Sequence, residues 1–189
     1  MSPRTVVAIN TDAEQRFNDL FERHHADVFR YCLRRLNPND AEDSAAEVFA
    51  VAWRRLDQIP ETEMARAWLL AAAYRVVGNH YRGRARRGRL SARLSGLPSE
   101  HPEPADVPII RREEEEAVQR ALNSLGETDR ELLRLVTWDG LSHREIGTVL
   151  GLKEDAVSKR VSRAQSRLRA RFDLLYPGSP SSRSTEAPT

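Results

Sequence analysis

The sequence predicts an all-α protein of two small helical domains joined by a flexible linker. Apolar residues recur at helical spacing along most of the chain, and no stretch alternates as a half-buried strand would. Residues 86–110 break this pattern with no sustained periodicity and with Pro98, Pro102, Pro104 and Pro108. A chain of 189 residues is also long enough for two modules with thin cores, which suits short helices.

The first domain is predicted at 13–85. Phe17, Leu20, Phe21, Val28, Cys32 and Leu36 share one face of a helix over 13–36. Asn37-Pro38-Asn39-Asp40 breaks it, and Asn39 with Glu42 forms a capping-box pattern for the next helix. Along that helix Ala45, Val48, Phe49, Ala52, Trp53 and Leu56 make one apolar face. After a turn at Ile59-Pro60, a third helix over 63–82 buries Leu69, Ala72, Ala73, Val76 and Val77, completing a three-helix bundle. The linker takes up from the GRARRGR run at 83–89.

The second domain is predicted at 111–173. Val118, Ala121, Leu122 and Leu125 line its first helix. Thr128-x-x-Glu131 and Ser142-x-x-Glu145 open the next two as capping boxes. A fourth helix from Glu154 to Phe172 stacks Val157, Val161, Ala164 and Leu168 on one stripe. The tail at 174–189, PGSPSSRSTEAPT after Tyr176, is predicted to be disordered.

The formal net charge of +2 conceals strong segregation. Eight arginines and no acid lie between Met64 and Ser99, whereas seven acids face Arg54 and Arg55 between Asp40 and Glu63. Blocks of opposite sign imply different partners for different surfaces. Cys32 is the sole cysteine, which excludes an internal disulfide and four-cysteine zinc sites and fits a packed thiol. No apolar run approaches a membrane span, and MSPRTVVAIN is too short and weakly apolar for a secretory signal, so a cytoplasmic location is expected. His24, His25, His80, His101 and His143 lack a metal-ligand spacing, and neither a glycine-rich phosphate loop nor a serine elbow occurs. These features predict a protein that is no enzyme and takes no metal or cofactor.

The segment LSHREIGTVLGLKEDAVSKRVSRAQSRLR, 141–169, has a short capped helix, a three-residue turn with Gly151 and a longer basic helix. That is the helix-turn-helix layout, whose second helix enters the major groove of duplex DNA. Asp155, Lys159, Ser162 and Ser166 project opposite the apolar stripe, flanked by Ser158 and Arg163. Ser158, Lys159, Ser162 and Arg163 are therefore candidates for reading bases. His143, Arg144, Arg160 and Arg167 are candidates for phosphate contacts. On the 63–82 helix, Ala71, Tyr74, Arg75, Gly78, Tyr81 and Arg82 project away from the core, beside Asn79. Tyrosines among arginines suit unpaired nucleic acid, since bases stack on rings while cations hold the backbone. The second helix presents Asp43, Ala46, Glu47, Ala50 and Arg54 as a third candidate surface.

NDAEDSAAEVFAVAWRRL resembles region 2.2 of the extracytoplasmic-function sigma factors of the sigma-70 family, and ARAWLLAAAYRVVGNHYRGRARR resembles regions 2.3 and 2.4, including Trp68-Leu69. AVQRALNSLGETDRELLRLVTWDGLSHREIGTVLGLKEDAVSKRVSRAQSRLR resembles region 4, through Arg163-Ala164. Together these segments cover most of 17–172 in the family's order. The resemblance implies a sigma region 2 bundle and a sigma region 4 helix-turn-helix. The protein would bind core RNA polymerase and direct promoter recognition, melting and initiation in a stress or envelope-signal response. Asp43, Ala46, Glu47, Ala50 and Arg54 would dock on the clamp helices of the β′ subunit, with the β flap as a further contact. Tyr74, Arg75, Gly78, Asn79, Tyr81 and Arg82, with the turn before them, would hold the melted minus-10 element. The recognition helix would read the minus-35 element as duplex, and an anti-sigma factor would restrain the protein. The chain departs from the family's habits at Ser44, Ala45 and Ala46, where Leu-Val-Gln is frequent, and at Tyr74-Arg75 and Asn79 in region 2.4. Ala156 and Ser158 replace residues frequent in the recognition helix, so promoter preference stays open. A stand-alone helix-turn-helix regulator is the alternative, with the first domain serving ligand binding or dimerisation.

Overall fold

The computed structural model describes the backbone of residues 3–95 and 113–175, with side chains over 12–87 and 116–175. The described residues are helical with no strand, and the chain divides into two compact units, Met1–Asp106 and Val107–Thr189. Leu174 and Leu175, expected in the disordered tail, are the last residues of α7, and the rest of the tail and most of the predicted linker lie outside the described residues.

In the first unit, α1 (Pro3–Leu33), α2 (Pro38–Arg54) and α3 (Met64–Ser95) pack pairwise against one another. α1 starts well before the predicted residue 13, because no breaker separates Pro3 from it and proline suits a first helical turn. It ends before the predicted Leu36, where the Arg35 and Leu36 N–H groups both donate to the Cys32 carbonyl. The cap of α2 also moves. Pro38 occupies the first turn, so Asn37 rather than Asn39 is the N-cap, its Oδ1 accepting from the Asp40 N–H at 3.0 Å. A short 3₁₀ turn, Leu56–Gln58, leads to Ile59 and α3.

Val28, Tyr31 and Cys32 of α1 meet Ala41, Ala45, Val48, Phe49 and Ala52 of α2 and Leu69, Leu70, Ala73, Val76 and Val77 of α3 in one core. Its alanines keep the helix surfaces shallow, which permits close packing. Cys32 is fully buried, and burial pushes its thiol up to about 11, so it is an inert packing group. Polar ties cross the bundle: Arg66 Nε donates to Asp27 at 2.8 Å, and Arg16 donates to the Ile59 carbonyl at 2.8 Å. Arg35, almost fully buried, lies 3.5 Å from the centroid of the Tyr31 ring and donates to the Tyr31 carbonyl. Two expected core positions, Phe21 and Trp53, are exposed, and one expected surface position is buried. Trp53 is 44% exposed, with its ring edge-on to Phe17 at 5.1 Å. Ala71, expected outside, is buried, because it stands one turn beyond the fully buried Ala67 on the same side of the helix.

α3 also overruns its predicted end. Residues 86–95, expected in the linker, continue the helix, and arginine is a good helix former that offsets Gly83 and Gly88. Pro98 is the first proline beyond it.

The second unit contains α4 (Glu113–Asn123), α5 (Glu127–Thr137), α6 (His143–Leu150) and α7 (Glu154–Leu175), with α7 packed on the other three. Ala117, Leu122, Leu125, Leu132, Leu135, Ile146, Val149, Val157, Val161 and Ala164 form the core, and Leu168 packs at its edge. Val118, expected inside, is 40% exposed. The expected capping box at Thr128 does not form. Gly126 is the N-cap and Glu131 is buried, because Arg130 donates to the carbonyls of Leu122, Asn123 and Leu125 and draws the start of α5 against the end of α4. Glu127 and Asp129 then sit in the first turn, where the helix dipole favours acids.

Candidate nucleic-acid interface

The recognition module is built from local signals. Ser142 Oγ accepts from the Glu145 N–H and the Glu145 carboxylate accepts from the Ser142 N–H at 2.8 Å, a complete capping box. Gly151 ends α6 at φ 67°, left-handed backbone that glycine adopts without strain. Its N–H and that of Leu152 both donate to the Gly147 carbonyl. A Cβ on Gly147 would stand 2.7 Å from the Leu152 carbonyl oxygen, so only glycine allows the turn to close this tightly.

Burying Val157, Val161 and Ala164 turns the opposite side of α7 to solvent. Ser158, Lys159, Ser162 and Arg163 are all exposed there, within an arc of about 140° at 100° per residue. Ser166 donates its hydroxyl to the Ser162 carbonyl at 3.0 Å. Of the candidate phosphate contacts, Arg144 and Arg160 are exposed and His143 is half-buried in the first turn of α6. Arg167 is exposed too, but one guanidinium nitrogen is committed to the Asp129 carboxylate of α5.

On α3, Tyr74, Arg75, Asn79 and Arg82 are exposed and Gly78 is half-buried between them. Arg82 donates to Asn79 Oδ1 at 2.7 Å, and its guanidinium lies back over Gly78, where an added Cβ would come 3.4 Å from it. Tyr81 differs from the rest. It is half-buried, and its hydroxyl donates to the Arg35 carbonyl at the end of α1, tying α3 to the bundle. One residue earlier, His80 Nε2 lies 3.2 Å from the Asp40 carboxylate, which Arg84 also approaches at 3.6 Å.

Asp43, Ala46, Glu47, Ala50 and Arg54 are all exposed on α2, within an arc of about 100°. Beside α2 the sequence reasoning missed an aromatic ladder. Phe17, Phe21 and His25 follow at four-residue intervals on α1, against Phe49 at 6.3, 4.7 and 5.9 Å. His25 is exposed in this row, whereas burial, then the Arg23 charge, lowers the pKa of half-buried His24. The ring spacing on α1 was visible, but a stripe of that kind reads first as core. Between α1 and the turn before α3 lies a cleft of about 320 Å³ lined by Arg16, Arg23, His24 and Glu61. No group of metal-ligating residues and no helix long and apolar enough to cross a membrane occurs among the described residues.

A helical bundle with a basic, tyrosine-bearing face and a separate helix-turn-helix unit define a two-module helical protein. Residues 20–87 match the family model of sigma-70 region 2, and residues 115–168 match that of sigma-70 region 4. The ECF RNA polymerase sigma factor ShbA of Streptomyces griseus is 34% identical over 173 residues, 86% of this chain and 90% of ShbA. CnrH of Cupriavidus metallidurans is 30% identical, over 71% of this chain and 74% of CnrH. Against RfaY of Xanthomonas campestris, a longer sigma factor, the match of 31% spans only 36% of that protein. The solved structure of CnrH in complex with the cytosolic domain of CnrY shares the fold, with a TM-score of 0.58 and 24% identity over 86% of this chain and 95% of that one. The chain belongs to the extracytoplasmic-function sigma factors of the sigma-70 family. Sigma factors are transcription initiation factors rather than enzymes. The region 2 match removes the alternative of a stand-alone helix-turn-helix regulator.

Proposed function

We propose that this sigma factor joins core RNA polymerase through the α2 face, holds the melted minus-10 strand on α3 and reads the minus-35 duplex with α7. The observation that carries this reading is the placement of a ring-bearing basic face and a groove-sized basic helix on separate compact units. Unpaired bases need rings to stack on, and duplex needs a helix to enter its major groove. Tyr74, Arg75, Asn79 and Arg82 supply the first, with Gly78 leaving room for Arg82. Ser158, Lys159, Ser162 and Arg163 supply the second, with Arg144, Arg160 and His143 positioned for phosphates. Asp43, Glu47 and Arg54, around Ala46 and Ala50, offer a charged patch to the β′ clamp helices, and the second unit meets the β flap. The protein works in the cytoplasm, in a stress or envelope-signal response, with an anti-sigma factor among its partners. RpoE of Bartonella quintana, similar in fold at a TM-score of 0.53 and 21% identity over 88% of this chain and 98% of RpoE, was solved with the anti-sigma factor NepR. The test is gel filtration with core polymerase at low salt, followed by run-off transcription on genomic promoter fragments. Co-elution and discrete transcripts are expected, and a chain that elutes alone refutes the proposal.

A further inference from the structure

Asp155 is exposed in the first turn of α7, one turn before Ser158, Lys159, Ser162 and Arg163. Projected along the helix, it lies within about 10° of the centre line of the arc that those four side chains span. Two observations separate it from an ordinary surface acid. Its carboxylate forms no hydrogen bond or ion pair among the described residues, although Lys159 stands four residues on, at the spacing of a helical pair. Glu154 shares the first turn, where the helix dipole favours an acid, and lies outside the arc, so the dipole does not require Asp155.

The first turn is also the part of a recognition helix that meets base edges. A carboxylate carried between two phosphate backbones is repelled on every sequence, and it gains only where a base offers it a hydrogen. In the major groove the donors are the amino groups of cytosine and adenine, whereas guanine shows two acceptors and thymine an acceptor and a methyl group. The adenine amino group stands beside the N7 acceptor, which repels a carboxylate oxygen, and cytosine shows its donor alone. An unpaired carboxylate here discriminates by refusing the other bases as much as by holding one.

We propose that Asp155 is a specificity-determining residue of α7, accepting a hydrogen bond from a cytosine amino group at one position of the minus-35 duplex and rejecting the other three bases there. This rests on the assignment of α7 to that duplex.

The experiment uses holoenzyme reconstituted from core polymerase and the full chain, with wild-type, Asp155→Ala, Asp155→Asn and Glu154→Ala proteins. The probe is a genomic promoter fragment that supports a run-off transcript, each base pair of its minus-35 segment replaced in turn by the other three. Wild-type holoenzyme should prefer cytosine over the alternatives at one position by about fivefold or more. Asp155→Ala should level that position and leave the preferences at the others unchanged. Asp155→Asn should move the preference there to adenine, whose N6 and N7 suit the donor and acceptor of an amide. Glu154→Ala, which also removes a first-turn acid, should keep the wild-type profile. A wild-type profile without a cytosine preference, an Asp155→Ala profile identical to wild type, or an equal change on every probe each overturns the proposal. If wild-type holoenzyme is indifferent to every substitution, the assignment of α7 falls and Asp155 with it. That result is distinguishable, because in the other outcomes discrimination persists elsewhere in the segment.

Discussion

Tyr74 and Tyr81 share one helix but not one environment. Tyr74 is 37% exposed, whereas the Tyr81 hydroxyl is bonded to the Arg35 carbonyl. Tyr74→Ala should therefore weaken binding to a melted minus-10 strand by roughly 1–3 kcal/mol. Tyr81→Phe should lower unfolding stability by about 0.5–1.5 kcal/mol and leave strand affinity nearly unchanged. Strand titrations and urea unfolding separate the two, and equal strand losses would show that both rings stack. In the helix-turn-helix a second pair, Arg163 of α7 and Arg144 of α6, tests base reading against phosphate holding. Arg163→Ala should reduce affinity for a matched minus-35 duplex about 1–3 kcal/mol more than for a scrambled one. Arg144→Ala should weaken both alike and lower the salt dependence. Arg167, tied to Asp129, is the poorer control. An equal loss on both duplexes for Arg163→Ala would make that residue a phosphate clamp.

Among the elements, the helix-turn-helix depends on two small features. Ser142→Ala removes the acceptor of the capping box and should cost about 1 kcal/mol, with little change in duplex binding once the protein is folded. Gly147→Ala sets a Cβ against backbone rather than a flexible side chain. It should cost more than Ser142→Ala and should also lower minus-35 affinity, because α6 and α7 must move apart. Thermal unfolding and duplex titration check both, and a Gly147→Ala protein with wild-type affinity would show that the turn relaxes without moving α7. This module was legible in the sequence because its signals are local: a serine three residues before a glutamate, then a glycine. The same spacing at Thr128 and Glu131 misled, since the start of α5 is fixed by Arg130 reaching back to α4. The length of α3 was hidden for another reason. An arginine–glycine run has the composition of a linker, and Leu90 and Leu94, four residues apart, make too short a stripe to mark it as helix.

For the whole molecule, the division into two units means that neither unit holds both of the faces proposed to read DNA. Run-off transcription should accordingly require both halves of a promoter, and scrambling either element should remove the transcript while core polymerase still co-elutes. Periodicity and charge blocks put most candidate residues on exposed helix faces, because exposed faces follow from the buried ones; Ala71 is buried, and Gly78, Tyr81 and His143 are half-buried. Contacts distant in sequence stayed invisible, above all the bond from Tyr81 to Arg35 and the placement of Phe49 against Phe17, Phe21 and His25. α3 carries one more consequence. Because a single unbroken helix joins the core at Leu69 to the residues beyond Arg82, its surface has an angular phase, and every side chain past the bundle is clocked to those inside it. One residue inserted near Gly83 would advance everything beyond it by about 1.5 Å and turn it by about 100°, carrying Arg86 and Arg87 to another side of the helix. The length of this stretch, and not only its composition, therefore fixes where its charges lie.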